Sequence, residues 1–285
     1  MENKTLRSFR ISLRSMEQLE ALRNVMESGQ LDFEINRIYV TSDLVLESEP
    51  SLILCEDIRK YLPQVEWILS LPEILREGDE AYLDRVKAFI LQNSLFSGVL
   101  VGNLEGLGYF SKHPEINIYG DHNLYLWNSS AVDAMKDKLS GGCLPLELRG
   151  QEQKSLLSDN FDWDKLVYGR IPMMVTANCL AKTMEGCQRS LEKKEPVSLI
   201  DRMDKRFPVL LNCAHCYNVI YNTVPLSLHG ELWKYERKAS LRIQMTTEGK
   251  EETIRILRYF LTSQIEEQKP PYQDYTTGHE KRGVE

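Results

Sequence analysis

The chain has 285 residues, of which 42% are hydrophobic, 27% charged and 9% aromatic. This composition excludes a disordered, collagen-like or coiled-coil protein and suits one large α/β domain or two small ones. Lys and Arg number 35 against 42 Asp and Glu, a formal charge of -7. That excludes a general nucleic-acid binder, because such binding rests on neutralising phosphates, and leaves room only for a local basic patch. No apolar run reaches the roughly 18 residues of a membrane span. Met1-Glu2-Asn3-Lys4 lacks the apolar core of a signal peptide, so the sequence reads as cytoplasmic, with no membrane partner.

Strand-like and helix-like runs alternate along the chain. Arg7-Ser8-Phe9-Arg10-Ile11-Ser12-Leu13 alternates as a strand, and Ser15 with Gln18 forms a capping-box pattern. Met16, Leu19, Leu22, Val25 and Met26 follow at helical spacing. Ile35 to Thr41 is the next strand, and a Ser51-led helix puts Leu52, Cys55, Ile58 and Leu62 on one face. Val65 to Leu69 is a strand, and residues 79–92 form a helix with Leu83, Val86, Phe89 and Ile90 inward. Gly98 to Val101 is a strand leading into a short helix from Leu104 to Phe110. Ile116 to Tyr119 is a strand, and Ser130 with Asp133 starts a helix. Cys143 to Leu148 reads as a short strand, irregular at Pro145. Lys165 to Gly169 starts another that runs on through Met173-Met174-Val175. Last come Ala239 to Met245 and an amphipathic helix with Ile254, Leu257, Leu261 and Ile265 inward.

Eight strands separated mostly by helices imply a parallel sheet. Their number and the chain length match a TIM-like (β/α)8 barrel of roughly 250 residues. An open doubly wound sheet is the rival, but no Gly-rich phosphate loop supports it. The reading places a barrel over residues 1–265 and a tail over 266–285. Residues 176–238 break the rhythm and form a long Cys-containing insertion after the seventh strand. In a barrel, that loop lies on the C-terminal face, where active sites sit.

The six cysteines are unevenly placed. Cys55 and Cys143 stand apart and read as small buried apolar side chains. Cys179, Cys187, Cys213 and Cys216 are clustered, which in a reducing compartment points to metal or redox chemistry. Four soft thiolates suit an iron–sulfur cluster or zinc, and unligated thiols or a redox pair remain open. The wide, uneven spacing fits a cluster better than a zinc ribbon. His215, between the last two, reads as an alternative ligand or a solvent-facing neighbour.

The same stretch resembles a known family. Tyr168-Gly169-Arg170-Ile171-Pro172-Met173-Met174-Val175-Thr176-Ala177-Asn178-Cys179 is similar to the signature of the peptidase U32 family, the collagenase-like proteases. Asp201-Arg202, Phe207-Pro208-Val209, Cys213-Ala214-His215-Cys216-Tyr217-Asn218-Val219-Ile220-Tyr221-Asn222 and Val224-Pro225-Leu226-Ser227-Leu228 resemble the segments that follow there. Gly120-Asp121-His122-Asn123-Leu124-Tyr125 and Leu144-Pro145-Leu146-Glu147-Leu148 resemble two further barrel strands. Tyr275 to Glu285 resembles the closing T-x-G-H-x-x-R-G-V, with Thr277 where a basic residue is expected. The likeness covers most of residues 5–285 and is strongest from 165 to 230.

The resemblance implies a TIM-like barrel. It also implies a 4Fe-4S cluster on Cys179, Cys187 and Cys213, with Cys216 as fourth ligand by proximity. Branches of the family hydroxylate aromatic or nucleobase substrates without molecular oxygen, including ubiquinone precursors, ribosomal RNA and transfer RNA. RNA or a small aromatic substrate is therefore the implied partner. Many relatives are longer, so a missing N-terminal domain or a partner subunit could complete the site.

The family name raises proteolysis, but neither HExxH nor G-x-S-x-G occurs. A Cys–His dyad would have to pair Cys213 or Cys216 with His229 or His279. Other site residues carry two readings each. Arg170 would hold an anion or stand as an ordinary surface Arg. Arg242 would point into the barrel mouth or pair with Glu147 or Glu248. Glu147 and Asp121 would be proton-transfer carboxylates or solvated ones. His122 stands where some relatives carry His-x-Ser. Tyr217 and Tyr221 would stack on a base or pack in the core. The functional expectation is an iron–sulfur hydroxylase. The alternatives are a Cys- or metal-dependent peptidase and a non-catalytic barrel whose metal, zinc included, is structural.

Overall fold

A computed structural model describes residues 7–29, 32–157, 161–187, 197–235, 238–262, 265 and 268–281. Met1-Glu2-Asn3-Lys4 and the last residues of the family-like tail, 282–285, lie outside them. The strands are β1 (Ser8–Leu13), β2 (Glu34–Thr41), β3 (Glu66–Ser70), β4 (Phe96–Val101), β5 (Asn117–Gly120), β6 (Gly141–Cys143) and β7 (Trp163–Gly169). They continue as β8 (Pro172–Thr176), β9 (Val197–Ile200), β10 (Arg206–Asn212), β11 (Tyr217–Tyr221), β12 (Leu226–Ser227) and β13 (Ser240–Gln244). Strands β1 to β7 pair in parallel in chain order, and β13 lies in parallel between β7 and β1, so eight strands close a TIM-like (β/α)8 barrel. Strand β12 adds to β7 in antiparallel sense.

Two expected strands are corrected. The sixth is Gly141–Cys143, and Cys143 is its last residue rather than its first. There is room for little else at its start, because a side chain on Gly141 would meet the Asp162 carbonyl at 2.5 Å. The seventh ends at Gly169, with φ +150, and a Cβ there would meet the Gln244 carbonyl at 2.8 Å. The chain breaks at this point, and Pro172–Thr176 joins a separate antiparallel sheet of order β8-β11-β10-β9. This sheet is the insertion after the seventh strand.

Helix starts follow side-chain caps, which move two predicted ones. Ser15 Oγ accepts from Gln18 N at 3.3 Å, as read, although the Gln18 carboxamide oxygen reaches Arg14 N rather than closing a capping box on Ser15. The helix read from Ser51 spans Glu49–Tyr61, with Ser48 accepting from Ser51 N. The helix read from Ser130 spans Ser129–Met135, capped by Asn128 accepting from Ala131 N.

The alternation in β1 has an unexpected sense. Phe9, Ile11 and Leu13 join the apolar layer between strands and helices, with Leu19, Leu22, Val25, Ile254 and Leu257. Arg10 and Ser12 therefore point into the barrel, since alternate residues take opposite faces. The interior of such barrels is usually layered with branched apolar residues. Among the described residues, Tyr39, Ile68, Leu100 and Tyr119 form a small apolar cluster there. Around them lies a charge lattice. Arg10 pairs with both Asp162 and Asp164. Arg37 pairs with Glu66 at 2.6 Å and Asp162 at 2.9 Å, and its guanidinium lies 3.7 Å from the Tyr119 ring centre. The Tyr39 hydroxyl donates to Asp164 at 2.7 Å.

Asp164→Ala would take one of two carboxylates from the buried Arg10 guanidinium and the acceptor from the buried Tyr39 hydroxyl, and is expected to cost about 3–5 kcal/mol, read as a lower urea midpoint. Arg10→Met combined with Asp164→Leu is expected to cost less than Asp164→Ala alone. A double variant as unstable as the single one would contradict this account of the lattice.

Candidate functional site

Arg242, on β13, runs through the centre of the barrel and is 2% exposed. Its Nε donates to Ser12 Oγ at 2.8 Å and its Nη1 to Asp121 Oδ1 at 2.9 Å. It also lies 3.8 Å from Asp164, so it connects the interior lattice to the mouth. The expected pairing with Glu147 or Glu248 is not found. Glu248 instead accepts from Thr246 N and the Tyr168 hydroxyl. Glu147 lies in the loop after β6 with its Oε2 buried and without a hydrogen-bond partner.

Asp121 follows β5 directly and also accepts from His122 N at 2.8 Å and His122 Nδ1 at 3.0 Å. Burial pushes its carboxyl up, but Arg242 and His122 outweigh burial and hold it far below the usual carboxylate range. His122 is 7% exposed. Asp121, His122 and Arg242 thus meet at the C-terminal mouth. They line a cleft of about 40 Å³ with Ser12, Arg14, Glu73 and Gln244.

The inserted sheet caps this mouth. Tyr217, Val219 and Tyr221 are buried with Ile74 and Leu210. Glu73 accepts from Tyr217 and from Arg14, and Arg14 also donates to the Tyr221 hydroxyl at 3.1 Å. Burial raises the Glu73 carboxyl, but Arg14 and Tyr217 bring it below its ordinary value. These two tyrosines are therefore packed and hydrogen-bonded, and offer no open stacking face. Arg76, in the loop after β3, donates to the carbonyls of His215 and Cys216.

His215 is not solvent-facing. It is 8% exposed, its Nε2 lies 3.2 Å from Asp43 Oδ1, and its ring meets Tyr82 edge-on. Asp43 also accepts from the Tyr82 hydroxyl at 2.7 Å. A groove of about 610 Å³ runs here between the β10–β11 hairpin tip and the barrel rim, within the size range of small-molecule sites. Arg14, Asp43, Arg85, Cys213 and His215 line it. Arg14 and Thr41 line both the groove and the mouth cleft, so the two spaces adjoin.

The cysteines divide as their spacing suggested. Burial pushes the Cys55 thiol up to about 12 and raises that of Cys143 as well, which leaves both protonated and inert. The other four lie in the insertion. Asn218 is in register with Thr176, and Asn212 with Tyr217, so Cys179, Cys213 and Cys216 share one end of the small sheet. Cys216 takes a left-handed backbone, φ 51, in the turn that returns the chain to β11. Cys179 caps the helix Leu180–Glu185, its Sγ accepting from Lys182 N at 3.5 Å. Cys187 follows that helix and is exposed. Six helical residues, about 9 Å of rise, thus separate it from Cys179. None of the cysteines is in a disulfide. Among the described residues no three His, Cys, Asp or Glu side chains converge tightly enough to hold a metal ion. The donors suit an iron–sulfur cluster in type, and three of the four share one sheet end, while among the described residues their side chains do not form a closed cage.

Other expected roles are corrected. Arg170 Nη1 donates to the carbonyls of Asn222 at 3.1 Å and Thr223 at 2.7 Å, so it clamps the chain leaving β11. His229 Nδ1 lies 2.8 Å from Ser227 Oγ and belongs to an aromatic cluster with Tyr259 and Tyr275, rather than to a Cys dyad. Glu280 of the tail is buried against Lys165 at 2.9 Å and Tyr235 at 2.7 Å, so the tail fastens the outside of β7. Arg14, Asp43, Glu73 and Gln244 were not singled out from the sequence. The first three follow strand ends within three residues, and the rule that strand ends carry function would have found them.

No protein-family model matches the sequence, and neither does any curated protein. Among solved structures, a U32 peptidase is 9% identical, with 87% of this chain and 96% of that one covered and a TM-score of 0.46. A dipeptide epimerase from Enterococcus faecalis, solved with Mg and a dipeptide, is 12% identical over 57% of this chain, TM-score 0.37. A mandelate racemase/muconate lactonizing protein from Herpetosiphon aurantiacus is 10% identical over 55%, TM-score 0.37. The chain spans less than half the length of the last two, 47% and 46%. At this degree of likeness nothing about activity carries over, and the barrel stands on its own strand pairing.

Two outcomes test this geometry. Asp121 contributes stability that is complete above its unfolded value, near 4, and is lost as pH falls towards its depressed folded value. Lowering pH from 5 to 3 should reduce the urea midpoint, and Asp121→Asn should flatten that loss; an unchanged slope would contradict the assignment. With iodoacetamide and metal-free protein, Cys187 and Cys216 should alkylate in the native state, and Cys55 and Cys143 only on unfolding.

Proposed function

We propose that this chain is a U32-type barrel enzyme that holds a 4Fe-4S cluster on Cys179, Cys187, Cys213 and Cys216. It would act in oxygen-independent hydroxylation of an aromatic substrate. The placement of the thiols supports this reading: three share the sheet end against the rim, and Cys213 lines the groove that adjoins the mouth. Four soft donors suit iron–sulfur ligation. When bound, such a cluster supplies the redox chemistry, and the protein binds, orients and excludes water.

The chain's own residues fit those tasks. The groove is large enough for a small-molecule substrate, and residues 210–215 of the inserted sheet line one side of it. His122 Nδ1, held on Asp121 Oδ1, is placed to keep a proton at the mouth. The groove carries Arg14 and Arg85 against Asp43, Glu47 and Asp79. That balance lacks the positive excess a phosphate backbone needs, and favours a small aromatic substrate over RNA.

A hydrolase reading is favoured by one observation. Asp43 orients His215 in the groove that Cys213 also lines, the residue types of an activated thiol nucleophile. Anaerobic purification separates the two. About four irons with matching sulfide per chain and absorption near 400 nm, both lost in Cys179→Ala, are expected of the cluster reading. Colourless, iron-free protein that cleaves casein, with cleavage lost in His215→Gln, would replace it with the hydrolase.

A further inference from the structure

The mouth cleft contains an unanswered polar group. Gln244 ends β13, lines the cleft and is 6% exposed. Its Oε1 is buried and has no hydrogen-bond partner. Buried carbonyl oxygens are nearly always paired, and leaving one unpaired is costly. The strand cannot withdraw to relieve it. Gly169 lies so close that a Cβ there would meet the Gln244 backbone carbonyl at 2.8 Å, and Gln244 is in register with Ser12 on the other side.

The charges around the cleft are already matched. Arg14 is paired with Glu73, and Arg242 with Asp121. No uncompensated guanidinium is left for a carboxylate or phosphate, and no uncompensated carboxylate for a cation. The cleft of about 40 Å³ exceeds the 10–15 Å³ or so that one water requires, and suits a group of a few heavy atoms.

We propose that Gln244 is a specificity-determining residue whose side-chain carbonyl accepts a hydrogen bond from a neutral N–H or O–H group of the substrate, seated in the barrel mouth. This deepens the reading above: the substrate body lies in the groove, and its neutral donor passes Arg14 and Thr41 into the cleft. The sequence offers no signal for this beyond the position of Gln244 at a strand end.

Formate, formamide and formamidinium have the same heavy-atom shape and carry charges of -1, 0 and +1. Titrated into ¹⁵N-labelled protein, formamide should shift the Gln244 side-chain amide resonances and bind at least about tenfold tighter than either ion, since one discriminating hydrogen bond of ordinary strength is worth about that factor. Gln244→Met should abolish the preference for formamide with barrel backbone resonances retained. If that variant fails to fold, Gln244→Glu provides the second test: it should turn the preference towards formamidinium. Formate or formamidinium binding as tightly as formamide, a formamide response that survives in Gln244→Met, or an unmoved preference in Gln244→Glu would overturn the proposal. Iron measured on the same samples keeps the two readings apart. Iron-loaded protein without formamide selectivity overturns this inference alone, and iron-free protein that retains it overturns the cluster reading alone.

Discussion

The pairing of Arg10, Arg37 and Arg242 with Asp121, Asp162, Asp164 and Glu66 is the constraint on which the rest of the molecule depends. A guanidinium inside a barrel is costly unless its charge and hydrogen bonds are met. Each carboxylate here comes from a different strand or strand end than the Arg it serves. The lattice therefore fixes register around the ring, and it extends upward through Arg242. The same side chain that fills the centre presents Asp121 and His122 at the mouth. Interior packing and site geometry are one network, and removing a lower member would disturb the upper ones.

The second dependence is the seating of the inserted sheet. Glu73 holds Arg14 of the barrel and Tyr217 of the sheet at once. Arg76 grips the carbonyls of the hairpin that carries Cys213 and Cys216, and Asp43 takes the ring of His215. The short helix after β2, which carries Asp43, and the loop after β3 thus position the cysteine-bearing turn. The groove exists because that turn stands off the rim with its flanks tied down.

The sequence was legible where periodicity had one meaning. Phe9, Ile11 and Leu13 marked a strand, and Ile254 and Leu257 the buried face of a helix that ends at Phe260, with Leu261 and Ile265 buried beyond its end. Eight such units yielded the barrel and located the insertion. The sense of the alternation was not legible. Period two says that Arg10 and Phe9 face apart, but only closure of the ring decides that the charged face is inside. Pro145 marked irregularity without showing that its strand stops before Leu144, and nothing at Gly169 marked the point where one expected strand splits between two sheets. Pairings of distant residues, such as Arg242 with Asp121 or His215 with Asp43, leave no local trace in a single sequence. Arg170 shows the same limit: its place after a strand suggested an anion site, and its Nη1 donates to backbone carbonyls of the same insertion.

The central claim is that the cysteine end of the small sheet is a redox-cofactor site adjoining the barrel mouth. Anomalous diffraction at the iron edge, from crystals of anaerobically purified protein, tests it most directly. A single iron peak among Cys179, Cys187, Cys213 and Cys216, beside the groove lined by Arg14 and His215, is the predicted result. Well-ordered thiols at that position with no iron peak, or iron bound elsewhere in the molecule, would contradict it.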